Sequence, residues 1–114
     1  MAVSARNDQA AAERQAAALL GGPDRPDAIL AQSDELAIGV LTVCDRVGLR
    51  VPEDAPLTGW DDSVAARRAG LTTVRQSLFV QGRLCAALAL GVPGPDPAAA
   101  MRWSVVTRRS TGNA

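Results

Sequence analysis

Short apolar runs alternate along this chain with longer stretches of helical periodicity, and this alternation limits the fold more than any other feature. The apolar run Ala28-Ile29-Leu30-Ala31 leads directly into Ser33-Asp34, which can cap a helix, and then into apolar residues at helical spacing as far as Val47. Gly48 ends that helix. A continuous apolar run of this length is typical of a strand that is buried on both faces of a parallel sheet.

The same order continues through the rest of the chain. The pattern predicts helices over about 7–20, 34–47, 61–70 and 78–90, and strands over about 28–31, 57–60, 71–74 and 103–107. The order αβαβαβαβ predicts an α/β fold in three layers, with a mainly parallel sheet and flanking helices. The polar tail from Ser110 onward is expected to be frayed.

The charged residues and the cysteines exclude several classes of function. All 12 basic residues are Arg, they are spread along a chain of zero formal net charge, and they form no basic stripe for a DNA backbone. The absence of His removes the usual general base and the commonest metal ligand. Cys44 and Cys85 lie in apolar helical stretches, which predicts two buried thiols. We therefore expect no metal and no cofactor.

The N-terminal residues Met1 to Arg14 mix polar and charged groups with alanines, so they lack the apolar core of a signal peptide. No apolar run in the chain is long enough to cross a bilayer. The sequence therefore predicts a cytoplasmic location.

Polar residues follow three of the predicted strands and suggest a ligand site. In an open parallel sheet, ligands bind at the carboxyl ends of the strands, where helix N-termini present free N–H groups. A carboxylate there can accept two sugar hydroxyls, and an indole can pack against the apolar face of a sugar. We predict four ligand-binding residues on this basis: Ser33, Trp60, Asp61 and Gln76.

Each of these residues also fits a role in folding alone. Ser33 can simply cap a helix, and Asp61 or Asp62 can cap the next one. Gln76 can lie in a solvated loop, and Trp60 can lie in the core. The adjacent carboxylates of Asp61 and Asp62 would point to opposite faces of a strand and form no acid/base pair, and the chain has no Gly-rich phosphate loop. We therefore expect no enzymatic activity.

Several stretches resemble the lactose-repressor (LacI/GalR) family of transcription regulators, in the order of that family. The most specific is Gly48-Leu49-Arg50-Val51-Pro52-Glu53-Asp54, followed by Gly59-Trp60-Asp61-Asp62. The run from Pro26 to Gly39 and the run from Leu71 to Gln76 also match, and the ending Arg108-Arg109-Ser110-Thr111-Gly112 resembles the C-terminal signature of the family.

The resemblance implies a periplasmic-binding-protein-like fold, of which residues 1–114 form the C-terminal subdomain and part of the N-terminal one, without the DNA-binding domain. It implies a cytoplasmic regulator that binds a sugar-like effector and contacts DNA only through a headpiece outside this chain. Asp61 matches the acidic contact to the effector, Ser33 a position that is usually Asn, and Gln76 a polar residue on the hinge side of the cleft. Trp60 matches an aromatic position beside that cleft. The alternative is part of a periplasmic-type sugar-binding protein of an uptake system.

Two helices carry further expectations from the resemblance. The helix over 34–47 would form a homodimer through its outer face, with Ile38, Leu41 and Thr42 as candidates, although these residues also fit a core position. The helix over 78–90 packs on the N-terminal subdomain in the family. In this chain we expect it to pack against the remaining sheet or against another chain.

Overall fold

A computed structural model describes residues 7–113 and contains five α-helices, four strands and one 3₁₀ turn in this range. Their order along the chain is α1 Gln9–Leu20, β1 Ile29–Leu30, α2 Asp34–Val47, β2 Leu57–Trp60, α3 Val64–Ala69, β3 Thr72–Gln76, α4 Leu78–Leu90, α5 Pro97–Ala100, β4 Trp103–Val106 and the 3₁₀ turn Arg109–Thr111. The predicted elements are all present to within a few residues, and α5 is an addition.

The strands form one sheet in the order β1-β2-β3-β4. The first three strands are parallel, and β4 runs antiparallel to β3 with Gln76 opposite Trp103. The prediction of an α/β fold with a mainly parallel sheet and flanking helices is confirmed. The parallel strands bring their carboxyl ends to one edge of the sheet, and the antiparallel β4 begins at that same edge.

Helix α2 lies between the sheet and α1 and provides much of the core. Gly39 of α2 faces α1 so closely that an added Cβ would lie 2.6 Å from the Cβ of Ala12, which explains why small residues line this contact. Leu57 and Gly59 of β2 face α2, so Trp60 lies on the opposite face of the sheet. The fully buried residues of this core include Ala37, Val43, Cys44, Leu57, Ala66 and Leu71.

Strand β1 is less buried than its sequence predicts. Ile29 packs against the core, but Leu30 is 80% exposed, so the prediction of a strand buried on both faces is wrong. The reason is that the described residues cover only the face of β1 that carries Ile29, and Leu30 lies on the opposite face.

The start of α3 also differs from the expectation. Ser63, and neither Asp61 nor Asp62, caps this helix, since its hydroxyl accepts the N–H of Ala66 at 3.1 Å. Ser63 has the extended backbone that an N-cap requires, whereas Asp61 and Asp62 have positive φ angles of 117° and 55°. The two aspartates therefore form a turn between strand and helix.

Helix α4 lies away from the sheet and contacts mainly α5. The expectation that it packs against the sheet is wrong, because the chain leaves the sheet at Gln76 and returns at the facing Trp103. Packing against another chain remains a prediction. Only Ala87 of this helix is buried, and Cys85 is exposed, contrary to the prediction for its thiol. Apolar side chains that remain exposed on and near α4 are Leu78, Phe79, Leu88, Leu90 and Val92.

The C-terminal tail is held in place, so the expectation that it frays is wrong. Ser110 is only 3% exposed, donates its hydroxyl to the carbonyl oxygen of Leu57 at 2.7 Å and accepts the N–H of Thr72 at 2.8 Å. Thr111 adds a hydroxyl contact of 2.7 Å to the Thr72 side chain. Ser110 thereby provides hydrogen-bond partners for two backbone groups of the sheet.

Candidate functional site

Three of the four predicted ligand residues lie together where β2 and β3 end. The amide of Gln76 donates to one carboxylate oxygen of Asp61 at 2.9 Å. The backbone N–H of Asp61 donates to the carbonyl oxygen of Val74 at 2.9 Å, which extends the pairing of the two strands by one residue. Trp60 precedes Asp61 and lies on the sheet face that also carries Gln76. The sequence prediction of a shared location for these three residues agrees with this geometry.

The backbone at Asp61 is strained. A non-glycine residue with φ of 117° costs on the order of 1 to 3 kcal/mol, and such residues cluster at ligand sites. This conformation turns the carboxylate towards Gln76. Within residues 7–113, no group donates a hydrogen bond to the second oxygen of Asp61, and the residue is half-buried. That oxygen is therefore available to a ligand hydroxyl.

Asp62, the next residue, has different partners and stabilises the turn. It is 3% exposed, and its carboxylate pairs with Arg75 at 2.6 Å, with Arg67 at 3.2 Å and with Arg108. Burial alone would raise the pKa of Asp62, but the hydrogen bonds from these three guanidinium groups outweigh burial and lower the pKa to about 2. Asp62 is therefore ionised at neutral pH and is occupied by protein groups.

Asp34 connects the N-terminus of α2 to the edge of the sheet. Its two buried carboxylate oxygens accept the hydroxyl of Thr73 and the backbone N–H of Ser63, each at 2.7 Å. Gly59 lies directly against this carboxylate, and a Cβ there would overlap it. From the sequence, Asp34 is recognisable only as a residue in the first turn of a helix. Its partners Thr73 and Ser63 are distant along the chain, and no local pattern indicates them.

Ser33 is the fourth predicted ligand residue. Among the described residues, it forms no hydrogen bond with Asp61 or Gln76. It is buried, its hydroxyl accepts the N–H of Leu36 at 3.3 Å as the N-cap of α2, and it donates to the side chain of Asn7. Capping therefore accounts for Ser33, and a contact with ligand at this position stays a prediction.

Trp103 is a residue of this edge that the sequence did not single out. Its ring makes an edge-to-face contact with Trp60, with centroids 5.6 Å apart and planes at 82°. It is 54% exposed and pairs with Gln76 across the β3–β4 ladder. The sequence places Trp103 in a strand but carries no local signal for the strand that it pairs with.

The predicted dimer residues lie on α2 and are all half-buried. Leu41 contacts the core, and the hydroxyl of Thr42 donates to the carbonyl oxygen of Ile38 at 3.0 Å. This partial exposure fits both a dimer face and the rim of the core, so the dimer face stays a prediction.

Other features of residues 7–113 give no competing site. No group of three or more His, Cys, Asp or Glu in this range is arranged to hold a metal ion, and no helix in it is long and apolar enough to cross a membrane. An open groove contains none of the four predicted ligand residues and is lined by Pro52, Glu53, Arg109, Gly112 and Asn113.

In this α/β sheet a carboxylate, an amide and two indoles lie at the edge where β2 and β3 end, which is the position where open α/β sheets commonly bind ligands. Comparison with known families agrees, since residues 1–111 match the periplasmic binding protein-like domain. The chain belongs to this family, in the form found in LacI-type transcription regulators, and the resemblance seen in the sequence is confirmed.

Three relatives illustrate the match. The HTH-type regulator YvdE of Bacillus subtilis is 36% identical over 97 residues, and the HTH-type repressor PurR of Escherichia coli is 42% identical over 60 residues. These alignments cover 82% and 51% of this chain, but 30% and 18% of the relatives. A LacI family regulator of Arthrobacter, solved in complex with lactose, is 30% identical with a TM-score of 0.76 over 94% of this chain and 42% of its own.

Proposed function

We propose that this chain is the effector-binding and dimerisation part of a LacI-type transcription regulator, and that a sugar-like molecule binds where β2 and β3 end. The observation that carries the proposal is the Asp61 carboxylate, which Gln76 holds through one oxygen while the other oxygen has no donor within residues 7–113. The strained backbone of Asp61 supports a role in binding. The lactose complex of the Arthrobacter relative supports the ligand class.

The chemistry of this edge suits reversible binding. A carboxylate oxygen accepts hydroxyl protons, and the half-buried setting of Asp61 strengthens such a bond relative to water. Gln76 fixes the carboxylate by donating to its other oxygen, so the ligand meets an acceptor that is already oriented. Neighbouring Asp62 is occupied by three arginines and is no partner for acid/base chemistry, which supports a regulator and not an enzyme.

Three partners follow from the proposal. The effector is a sugar or a sugar-like compound, a second copy of the chain binds through Ile38, Leu41 and Thr42, and DNA is contacted by a headpiece outside this chain. Such a regulator works in the cytoplasm and needs no cofactor. The alternative, part of a sugar-binding protein of an uptake system, shares the fold, but the relatives YvdE and PurR are both regulators and favour the first proposal.

The experiment is calorimetric titration of the full chain with lactose, maltose, galactose and glucose. We expect binding of at least one of these sugars, and we expect Asp61→Asn to weaken it about 10- to 100-fold, the range for losing hydrogen bonds to a charged group. Asp24→Asn is the matched control, because Asp24 is exposed and far from the sheet edge in sequence. Binding of none of the four sugars, or equal binding by both variants, would contradict the proposal.

A further inference from the structure

Two pairs of cross-strand neighbours lie on one face of the sheet at the edge where β2 and β3 end. Trp60 pairs with Val74 across β2–β3, and Gln76 pairs with Trp103 across β3–β4. Paired residues, and residues two apart on a strand, lie on the same face. Trp60, Gln76 and Trp103 therefore point to the face of the sheet away from α2, with Asp61 held beside them by Gln76.

The two indoles form a corner. Their planes are nearly perpendicular at 82°, and their centroids are 5.6 Å apart. An edge-to-face pair uses the edge of one ring and one face of the other, so it leaves further ring faces free. Trp103 is 54% exposed, an unusual state for an indole that lies beside a polar pair at the end of a sheet. Its exposed surface lies next to Gln76, the residue that holds the Asp61 carboxylate.

We infer that Trp103 is a specificity-determining residue of the effector site, and this inference rests on the function proposed above. A pyranose has an apolar face of C–H groups and a rim of hydroxyls. The rim reaches Asp61 and Gln76, and the C–H face packs on the exposed indole of Trp103. The Trp103 indole therefore selects cyclic sugars over open-chain polyols, because an acyclic chain presents the same hydroxyls without a rigid apolar face.

The sequence gives this inference a direct spectroscopic readout. The chain contains two Trp and no Tyr, so tryptophan emission comes only from Trp60 and Trp103. A ligand packed against this corner changes the emission of both rings with no background from other indoles. Trp103→Phe removes one emitter but keeps an aromatic wall, and Trp103→Ala removes the wall.

The test compares Trp103→Ala, Trp103→Phe and Met101→Ala in the full chain, each checked for a wild-type far-ultraviolet circular dichroism spectrum. Met101 is the matched control, since it is also apolar and exposed and lies two residues before Trp103. The probes are lactose, galactose and glucose as cyclic sugars, and sorbitol as an open-chain polyol, measured by calorimetry and by tryptophan emission.

We expect Trp103→Ala to weaken binding of the cyclic sugars about tenfold, the scale of a good aromatic contact, while sorbitol binding changes little. Trp103→Phe should restore most of the loss, and Met101→Ala should match the wild type. Equal sugar binding by Trp103→Ala and Met101→Ala would overturn the inference and leave the proposed function standing. If Trp103→Ala does not fold, Trp103→Leu takes its place, because leucine fills part of the same volume without an aromatic face, and an unchanged preference of that variant for cyclic sugars overturns the inference as well. Binding of no sugar by the wild type would instead contradict the proposed function itself.

Discussion

The hydroxyl of Ser110 donates to the carbonyl oxygen of Leu57 at 2.7 Å and so connects two residues that are 53 positions apart. The hydroxyl oxygen of Ser110 also accepts the N–H of Thr72 at 2.8 Å. One buried side chain thereby satisfies a carbonyl at the start of β2 and an amide at the start of β3. The last described residues of the chain are part of the fold because these two backbone groups need partners.

Replacing Ser110 with Ala should destabilise the protein by about 1 to 3 kcal/mol, since it leaves buried polar groups of the backbone without partners. The measurement is urea unfolding followed by circular dichroism. Ser104→Ala is the matched control, because Ser104 is exposed on β4 and should change the free energy of unfolding by less than about 0.5 kcal/mol. Equal stability of the two variants would show that the Ser110 contacts contribute nothing.

Asp62 should make stability depend on pH in the acid range. Its pKa is lowered from 3.8 to about 2, so its contribution is complete above about pH 4 and is lost as the pH falls from about 4 to about 2. The shift corresponds to a stabilisation of about 2 kcal/mol. Thermal unfolding of Asp62→Asn should show lower stability at pH 7 and a flatter profile between about pH 4 and pH 2. A mutant profile parallel to that of the wild type would argue against this assignment.

Gly59 and Gly82 should respond to alanine in opposite directions. A Cβ at Gly59 would overlap the Asp34 carboxylate and lie 2.8 Å from a methyl carbon of Leu71, so Gly59→Ala should cost roughly 1 to 3 kcal/mol. Gly82 is in α4 with nothing within 4 Å of an added Cβ, so Gly82→Ala should stabilise the helix by up to about 1 kcal/mol. Denaturant unfolding of both variants checks the signs, and a neutral Gly59→Ala would mean that Asp34 moves aside at little cost.

The proposed homodimer should depend on Ile38. Placing a charge at this half-buried position of α2 by Ile38→Arg should shift the chain from dimer to monomer in sedimentation equilibrium, because an unpaired charge is costly in an apolar interface. Asp24→Arg, at an exposed position outside α2, is the control and should leave the dimer intact. A wild-type chain that is monomeric at all concentrations tested would rule out this dimer face.

Local features of the sequence predicted local features of the fold well. Gly48 ends α2 and Gly70 ends α3, each with a left-handed φ angle that glycine adopts without steric cost. Ser33 caps α2 because a hydroxyl next to a helical run can reach the free N–H groups of the first turn. Such contacts involve residues three or four apart, so the sequence alone is enough to locate them.

Contacts between distant residues could not be predicted in the same way. The pairing of Gln76 with Trp103 depends on how β4 returns after α4 and α5, and no local pattern sets that register. The positive φ angles at Asp61 and Asp62 accompany contacts with residues distant in sequence, Gln76 for the first and the arginines for the second. The sequence placed Trp60, Asp61 and Gln76 at one edge because parallel strands share their carboxyl ends, but it gave no sign of Trp103.

The facing positions of Gln76 and Trp103 have a consequence for the segment between them. Residues 77–102 are equivalent to the loop of a β-hairpin, because the chain leaves the sheet at Gln76 and returns to it at Trp103, the residue paired with Gln76. The length and content of that loop can vary while the register of β3 with β4 is kept, as is usual for insertions at hairpin tips. Because Gln76 at the root of this loop donates to the Asp61 carboxylate, the loop begins beside the proposed ligand site.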